Sequence, residues 1–394
     1  MSNDRDDNRR AIAEAVDESR LLETAIRLIE IPSFTRDAGA ALDALAAILN
    51  DEGFAVERVD AGWPSAPAVA ARLTSGAAGR TLQFNGHLDT VHLPFTPPAV
   101  DDGVLTGSGC SDMKGGVAAA VEAMRALRDT GLLTGGGVLL TAHDLHEAPW
   151  GDGSQVDGLI DAGYVGDAVL LPEYLSDRLP NVGRGLAVFE VAVRRDGQPV
   201  HEVLGGSEQP SVIHAGAALI LALQELDAQL SQLVDPLAGR ESVFVGQAHG
   251  GEIFNQAPVL LEFSGTRRWL DQTDAIEAKE ALLELLHAVA AESNVSVEVN
   301  YQIIRDAFRL DARTEFPQAF QRAYTAVAGE PLPVGAKPFV DDANAFIRRG
   351  GVPAITHGPN ATGAHTVDEK CPVAELVRVA QVYALTAIEF CPGP

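Results

Sequence analysis

The sequence predicts an α/β protein whose mainly parallel central sheet is interrupted by a smaller α+β insert. Three observations predict it. In the first half, short β-like apolar runs alternate with helix-length amphipathic stretches; near Gly183 the order becomes strand-helix-strand-strand-helix-strand; after Tyr301 the first pattern returns. A chain of 394 residues also suits two cores better than one. The expected division is 1–183 for the first part of the larger domain, 184–301 for the insert and 302–394 for the second part.

Taken in order, Arg9 to about Ile31 has apolar residues at helical spacing (Ile12, Ala15, Val16, then Leu22, Ile26, Ile29) and stops at Pro32. A second helix is expected over Ala38–Asn50, closed by Glu52-Gly53. Strands are expected at Ala68–Leu73, Thr81–Asn85, Gly137–Ala142 and Ala168–Leu171, with a helix over Gly115–Thr130. In the insert, Ala187–Arg194 alternates as a half-buried strand and Val212–Leu233 reads as a long helix. Strands at Val243–Gly246, Val259–Ser264 and Val295–Tyr301 and a helix over Thr273–Ser293 complete a ferredoxin-like order. A last helix runs from Val373 to about Glu389.

Composition narrows the function. Hydrophobic residues at 46% and charged residues at 21% are the balance of a folded chain. With 29 Lys+Arg against 55 Asp+Glu the net charge is -26, which repels nucleic acid and anionic membrane and leaves carboxylates for cations. Three unpaired cysteines, a charged N-terminus without an apolar segment behind it, and no apolar run of the ~20 residues that span a bilayer point to a cytoplasmic protein.

Five segments carry chemistry. His87 and Asp89 follow a strand, where α/β proteins gather functional groups, although His-x-Asp also describes a loop histidine beside a cap. Asp112 lies in a glycine-rich turn before a helix, where it can cap the helix or bridge two cations; the spacing is not that of a phosphate loop. His143, Asp144, His146 and Glu147 crowd one strand end, which packing alone does not explain. Glu173 follows a buried-looking strand, and His365 stands in Gly363–Glu369. Together they supply two histidines, two glutamates and an aspartate. That N/O set suits zinc, with manganese or cobalt as alternatives. Five donors exceed what one ion needs, so two divalent cations sharing a carboxylate are expected.

Gly86–Val91, Ser108–Gly116 and Gly363–Glu369, in that order, resemble the M20 metallopeptidase family almost from end to end. The resemblance implies a di-metal catalytic domain interrupted by a lid domain through which the chain forms a homodimer. It implies hydrolysis of an amide C–N bond in a small N-acyl amino acid or peptide, through a metal-bridging water. His87, Asp112 and Glu173 would hold one cation; Asp112, Glu147 and His365 the other; Asp89 would orient His87. In the insert, His201 would support the oxyanion, Asn255 would lie near substrate, and Arg268 would bind a substrate carboxylate, with the backbone near Gly358 as a further contact.

The sequence departs from the family where two consecutive glutamates are usual. Here His146 precedes Glu147, which puts a histidine in the general-base position, with Glu147 or Asp144 as substitutes if the register shifts. Thr266 likewise replaces the family's aspartate before the arginines. A second reading keeps the cations and changes the bond, with His146 serving deamination or amidine hydrolysis. A third is a non-catalytic, metal-stabilised binding protein.

Overall fold

The computed structural model describes residues 2–392, and the side chains of 5–392. The chain divides into two compact units. One contains residues up to Asn181, Leu310–Ala336 and the chain from Asp341 onward; the other contains Val182–Arg309 with Lys337–Val340. Ten strands build the two main sheets: β1 (Ala55–Val59), β2 (Ala68–Thr74), β3 (Thr81–His87), β4 (Gly137–His143), β5 (Ala168–Leu171), β6 (Gly185–Arg194), β7 (Ser242–Gly250), β8 (Leu260–Trp269), β9 (Ser296–Arg305) and β10 (Ala354–Thr356).

The first unit holds a six-stranded sheet in the order β1-β2-β4-β3-β5-β10. β1 and β2 form an antiparallel margin, while β4-β3, β3-β5 and β5-β10 pair in parallel. Alternate side chains of each strand enter different cores, so both faces are covered. Val69, Ala71, Leu82, Phe84, Val138 and Leu140 join the helices Glu18–Ile29, Lys114–Thr130 and Val373–Phe390. Leu139 meets Leu159, and Val169 and Leu171 meet Val156 and Phe346, so the helices Ser154–Asp161 and Asp342–Arg348 cover the other side.

The expected long N-terminal helix is two helices, Ser2–Ala15 and Glu18–Ile29. Asp17 breaks it: its carboxylate accepts from the Arg20 N–H as an N-cap, and its own N–H donates to Glu122 at 2.9 Å. Gly116 permits a close approach that matters for the site. A Cβ there would lie 2.1 Å from the Pro172 carbonyl oxygen, so only glycine lets the helix Lys114–Thr130 pass so near the end of β5.

The second unit is a four-stranded antiparallel sheet, β7-β8-β6-β9, with the helices Val212–Leu230 and Ala275–Ala291 packed on it. β9 runs on to Arg305, and the unit extends to Arg309. Its core includes Phe189, Val191, Leu219, Leu282 and Trp269. The segment Gly206–Leu230 is long and apolar enough, at 25 residues, to cross a membrane by length and composition only. Its Val212, Ala215, Leu219 and Leu223 face the sheet core, which is how an apolar helix covers a sheet.

Candidate metal centre

Three neighbouring parallel strands bring the chemistry together. β3 ends at His87, β4 at His143 with His146 and Glu147 just beyond, and β5 two residues before Glu173. Their carboxyl ends are adjacent because β3 pairs with both β4 and β5. Asp112 enters from the turn before the helix Lys114–Thr130, and His365, at φ 61°, from the C-terminal loop.

The two oxygens of Asp112 face different histidines. Oδ1 is 3.2 Å from His87 Nε2, which is 3.6 Å from Glu173 Oε1. Oδ2 is 3.1 Å from His365 Nε2, which is also 3.1 Å from Glu147 Oε2. Donors at roughly 2.0–2.1 Å around a tetrahedral zinc stand about 3.3 Å apart, and these separations are of that size. His87, Asp112, Glu147 and Glu173 are buried, whereas His365 is half exposed. This donor set fits two cations sharing one carboxylate.

The electrostatics agree. Burial pushes the Glu173 carboxyl up to about 8, helped by the neighbouring charge of Asp112, and the same two causes raise Glu147. Burial also works to raise Asp112, but hydrogen bonds from His365 and His87 outweigh it and hold the group below the usual carboxylate range. His365 is lifted to about 10 by Asp112 and Glu147. Clustered acids that raise one another's proton affinity in a buried site mark a place built for positive charge.

His146 Nε2 comes within 3.7 Å of Glu173 Oε1, so distance alone admits it as a donor beside His87. Ring geometry argues otherwise. The His146 and His87 rings are stacked with centroids 4.0 Å apart and planes 5° from parallel. An imidazole binds a cation in its own plane, and two stacked parallel planes share no point, so one ion cannot be in plane with both.

Asp89 reaches His87 chiefly through its main chain. The His87 Nδ1 partner is the Asp89 main-chain oxygen at 2.9 Å, with the carboxylate 3.6 Å away. Asp89 Oδ2 instead accepts from the N–H groups of His146 and Glu147, at 3.0 and 2.9 Å, and so fixes the loop that carries them. Asp144 is not available as a base, because it accepts from the N–H groups of Arg36, Ala38 and Leu145. Gly358 donates to Leu175 O and accepts one bond from Arg378.

In the second unit, His201 and Asn255 meet, with Nε2 2.9 Å from the amide nitrogen of Asn255 and Nδ1 accepting from Val203 N–H. Of the two arginines after Thr266, Arg267 is the core residue, ion-paired to buried Glu241 at 2.5 Å. Arg268 is half-buried, and burial, with Arg184 nearby, lowers its proton affinity.

The sequence reading missed two acids. Glu369 is buried and accepts from Gly109 N, Ser111 N, Ser111 Oγ and Asp112 N at 2.9, 3.0, 2.7 and 3.3 Å, tying the His365 loop to the Asp112 turn. Asp342 reaches His143 and His146 from the other end of the chain. Its only sequence signal is a pair of aspartates before a short helix, which reads as capping.

Fold and site together define a metal-dependent hydrolase: carboxylates and histidines at the carboxyl ends of parallel strands, arranged for paired cations. Residues 83–389 match the sequence profile described as Peptidase family M20/M25/M40, and the chain belongs to that family, whose members hydrolyse carbon–nitrogen bonds. A succinyl-diaminopimelate desuccinylase of Gluconacetobacter diazotrophicus is 28% identical over 390 residues, covering 92% of this chain and 95% of the relative. The aminopeptidase PepT of Bacillus cereus superposes with a TM-score of 0.78 at 18% identity, covering 95% of this chain and 99% of that one. The M20 family metallo-carboxypeptidase Sso-CP2 of Sulfolobus solfataricus gives 0.79 at 15%, covering 94% and 98%.

Proposed function

We propose that the protein hydrolyses the amide bond of a small N-acyl amino acid, with His87, Asp112 and Glu173 holding one cation and Asp112, Glu147 and His365 the other. The observation that carries this is Asp112, whose two oxygens face two histidines, each with its own glutamate. Zinc suits the mixed imidazole and carboxylate donors. Bound there, the cations supply Lewis acidity and lower the pKa of water.

The chain's own residues do the rest. His146 Nε2, on the side of Glu173, accepts the proton of the attacking water and returns it to the leaving amine. For the protein groups alone, burial lowers the proton affinity of His146 but Asp342 and Glu173 lift it to about 9. Cations held in the neighbouring sites would lower it again, toward the neutral ring a base requires. Asp89 keeps the His146-Glu147 backbone in place. On resemblance, His201, Asn255 and Arg268 handle the substrate, the second unit carries the dimer contact, and the three free, buried cysteines suit the reducing cytoplasm.

Succinyl-diaminopimelate heads the substrate panel, because it is named in the relatives that match nearly the whole chain; other succinyl- and acetyl-amino acids and dipeptides follow. The test strips the protein with chelator and restores zinc. Two zinc ions per chain and turnover of a panel amide are expected. Uptake of a single ion, or full loading with no amide cleaved, refutes the reading.

A further inference from the structure

We propose that Asp342, braced by His143, is the positioning residue that orients His146, an inference that rests on His146 being the base. Asp342 opens the helix Asp342–Arg348 and is buried. Its Oδ2 lies 3.2 Å from His146 Nδ1 and 2.9 Å from His143 Nε2. The partners are 196 residues apart in the chain, so only the fold creates the arrangement.

An imidazole accepts a proton through one nitrogen, and the hydrogen bond at the other decides which. A carboxylate at Nδ1 keeps that nitrogen protonated and leaves the Nε2 lone pair pointing toward Glu173, 3.7 Å away. The ring lies flat on His87, which opposes tipping toward that side. Asp342 is braced as well: fully buried His143 has its Nε2 2.9 Å from the same oxygen. The neighbour Asp341 is occupied differently, accepting from Ala343 N–H and Thr356 Oγ1. Of the two adjacent acids, one therefore caps the helix and the other serves the histidines.

The test uses zinc-loaded full-length protein and succinyl-diaminopimelate, or whichever panel amide is cleaved. Asp342→Asn is expected to lower kcat about 100-fold, with KM within about twofold and two zinc ions still bound at unchanged affinity. His146→Ala should lower kcat at least as far, and the double variant should be no slower than His146→Ala, since both act through one ring. A merely structural Asp342 would add its own loss in the double variant, and that result overturns the proposal, as does Asp342→Asn with undiminished kcat. If His146→Ala keeps full activity, the base reading fails instead. A ¹⁵N spectrum of the wild-type histidines, taken where the His146 ring is neutral, decides even if the variants do not fold. A proton on Nδ1 is expected; one on Nε2 overturns the proposal.

Discussion

Glu369→Gln gives the sharpest test of how the centre is held. The carboxylate accepts from four donors, three of them on Oε2. A glutamine with its oxygen in the Oε2 position keeps those three bonds, and because burial already raises the Glu369 carboxyl above its ordinary range, loss of the charge itself costs little. Its NH2 group then faces the Gly109 N–H, which stood 2.9 Å from Oε1. Leaving that buried donor unmet adds about 1–3 kcal/mol. The total is about 1–3 kcal/mol, and at about 2–4 °C per kcal/mol for domains of this order the Tm should fall by roughly 2–12 °C. The loosened Asp112 turn should also weaken zinc binding about 10–100-fold. Differential scanning calorimetry of the metal-free protein and zinc titration of the folded variant measure both. A Tm within about 2 °C of wild type, with zinc affinity unchanged, would show that Glu369 does not brace the turn.

Zinc uptake should release protons and strengthen with pH. His365 stays protonated up to about 10 and Glu173 up to about 8 before a cation displaces those protons, so between about pH 6 and 8 at least two protons should leave, each worth about tenfold in affinity per pH unit; titration calorimetry in buffers of different ionisation enthalpy counts them. Gly116→Ala puts a Cβ 2.1 Å from the Pro172 carbonyl oxygen; a loss of about 1–3 kcal/mol by urea unfolding, with weaker binding of the Glu173-side cation, is expected. Arg125→Met strips buried Arg125 from Glu52 and Glu122 and should remove about 3–5 kcal/mol, read as a lower urea midpoint with metal stoichiometry intact.

What the sequence disclosed depended on how local the signal was. Strand cores, the helix at Lys114 and the five proposed cation donors stand out because each sits in a short patterned segment, and a parallel sheet places such segments at one edge. Partnerships formed across the chain were not legible. Glu369 finds Ser111 258 residues away, and Asp17 finds Glu122 105 residues away, which is why one expected helix became two. Asp89 shows the limit at short range: its spacing from His87 was plain, but which of its oxygens the ring would use depended on where the His146-Glu147 backbone lay.

The buried acids of the first unit separate by what they touch, and the separation predicts opposite effects for two similar substitutions. Asp89, Asp144 and Glu369 accept from main-chain N–H groups and hold loops together. Glu147 and Glu173 face histidine nitrogens and the charge of Asp112; burial raises these two acids, and Asp144 and Glu369 as well, above the ordinary carboxylate range. An acid raised in the folded state binds more protons there than in the unfolded chain, so stability falls as pH rises from about 4.5, its ordinary value, to about 8 for Glu173. At pH 7 Glu173 must therefore take up a proton for the metal-free chain to fold, which works against the fold. Glu173→Gln should raise the Tm of the metal-free protein at pH 7 and lose one cation, whereas Glu369→Gln should lower the Tm, because it leaves the buried Gly109 N–H without its acceptor. The difference should vanish for Glu173→Gln near pH 4.5, where the wild-type group is already protonated. A Glu173→Gln variant that is less stable at pH 7 without metal would mean that this acid, too, serves the loops, and that the cation site lies elsewhere among the carboxylates.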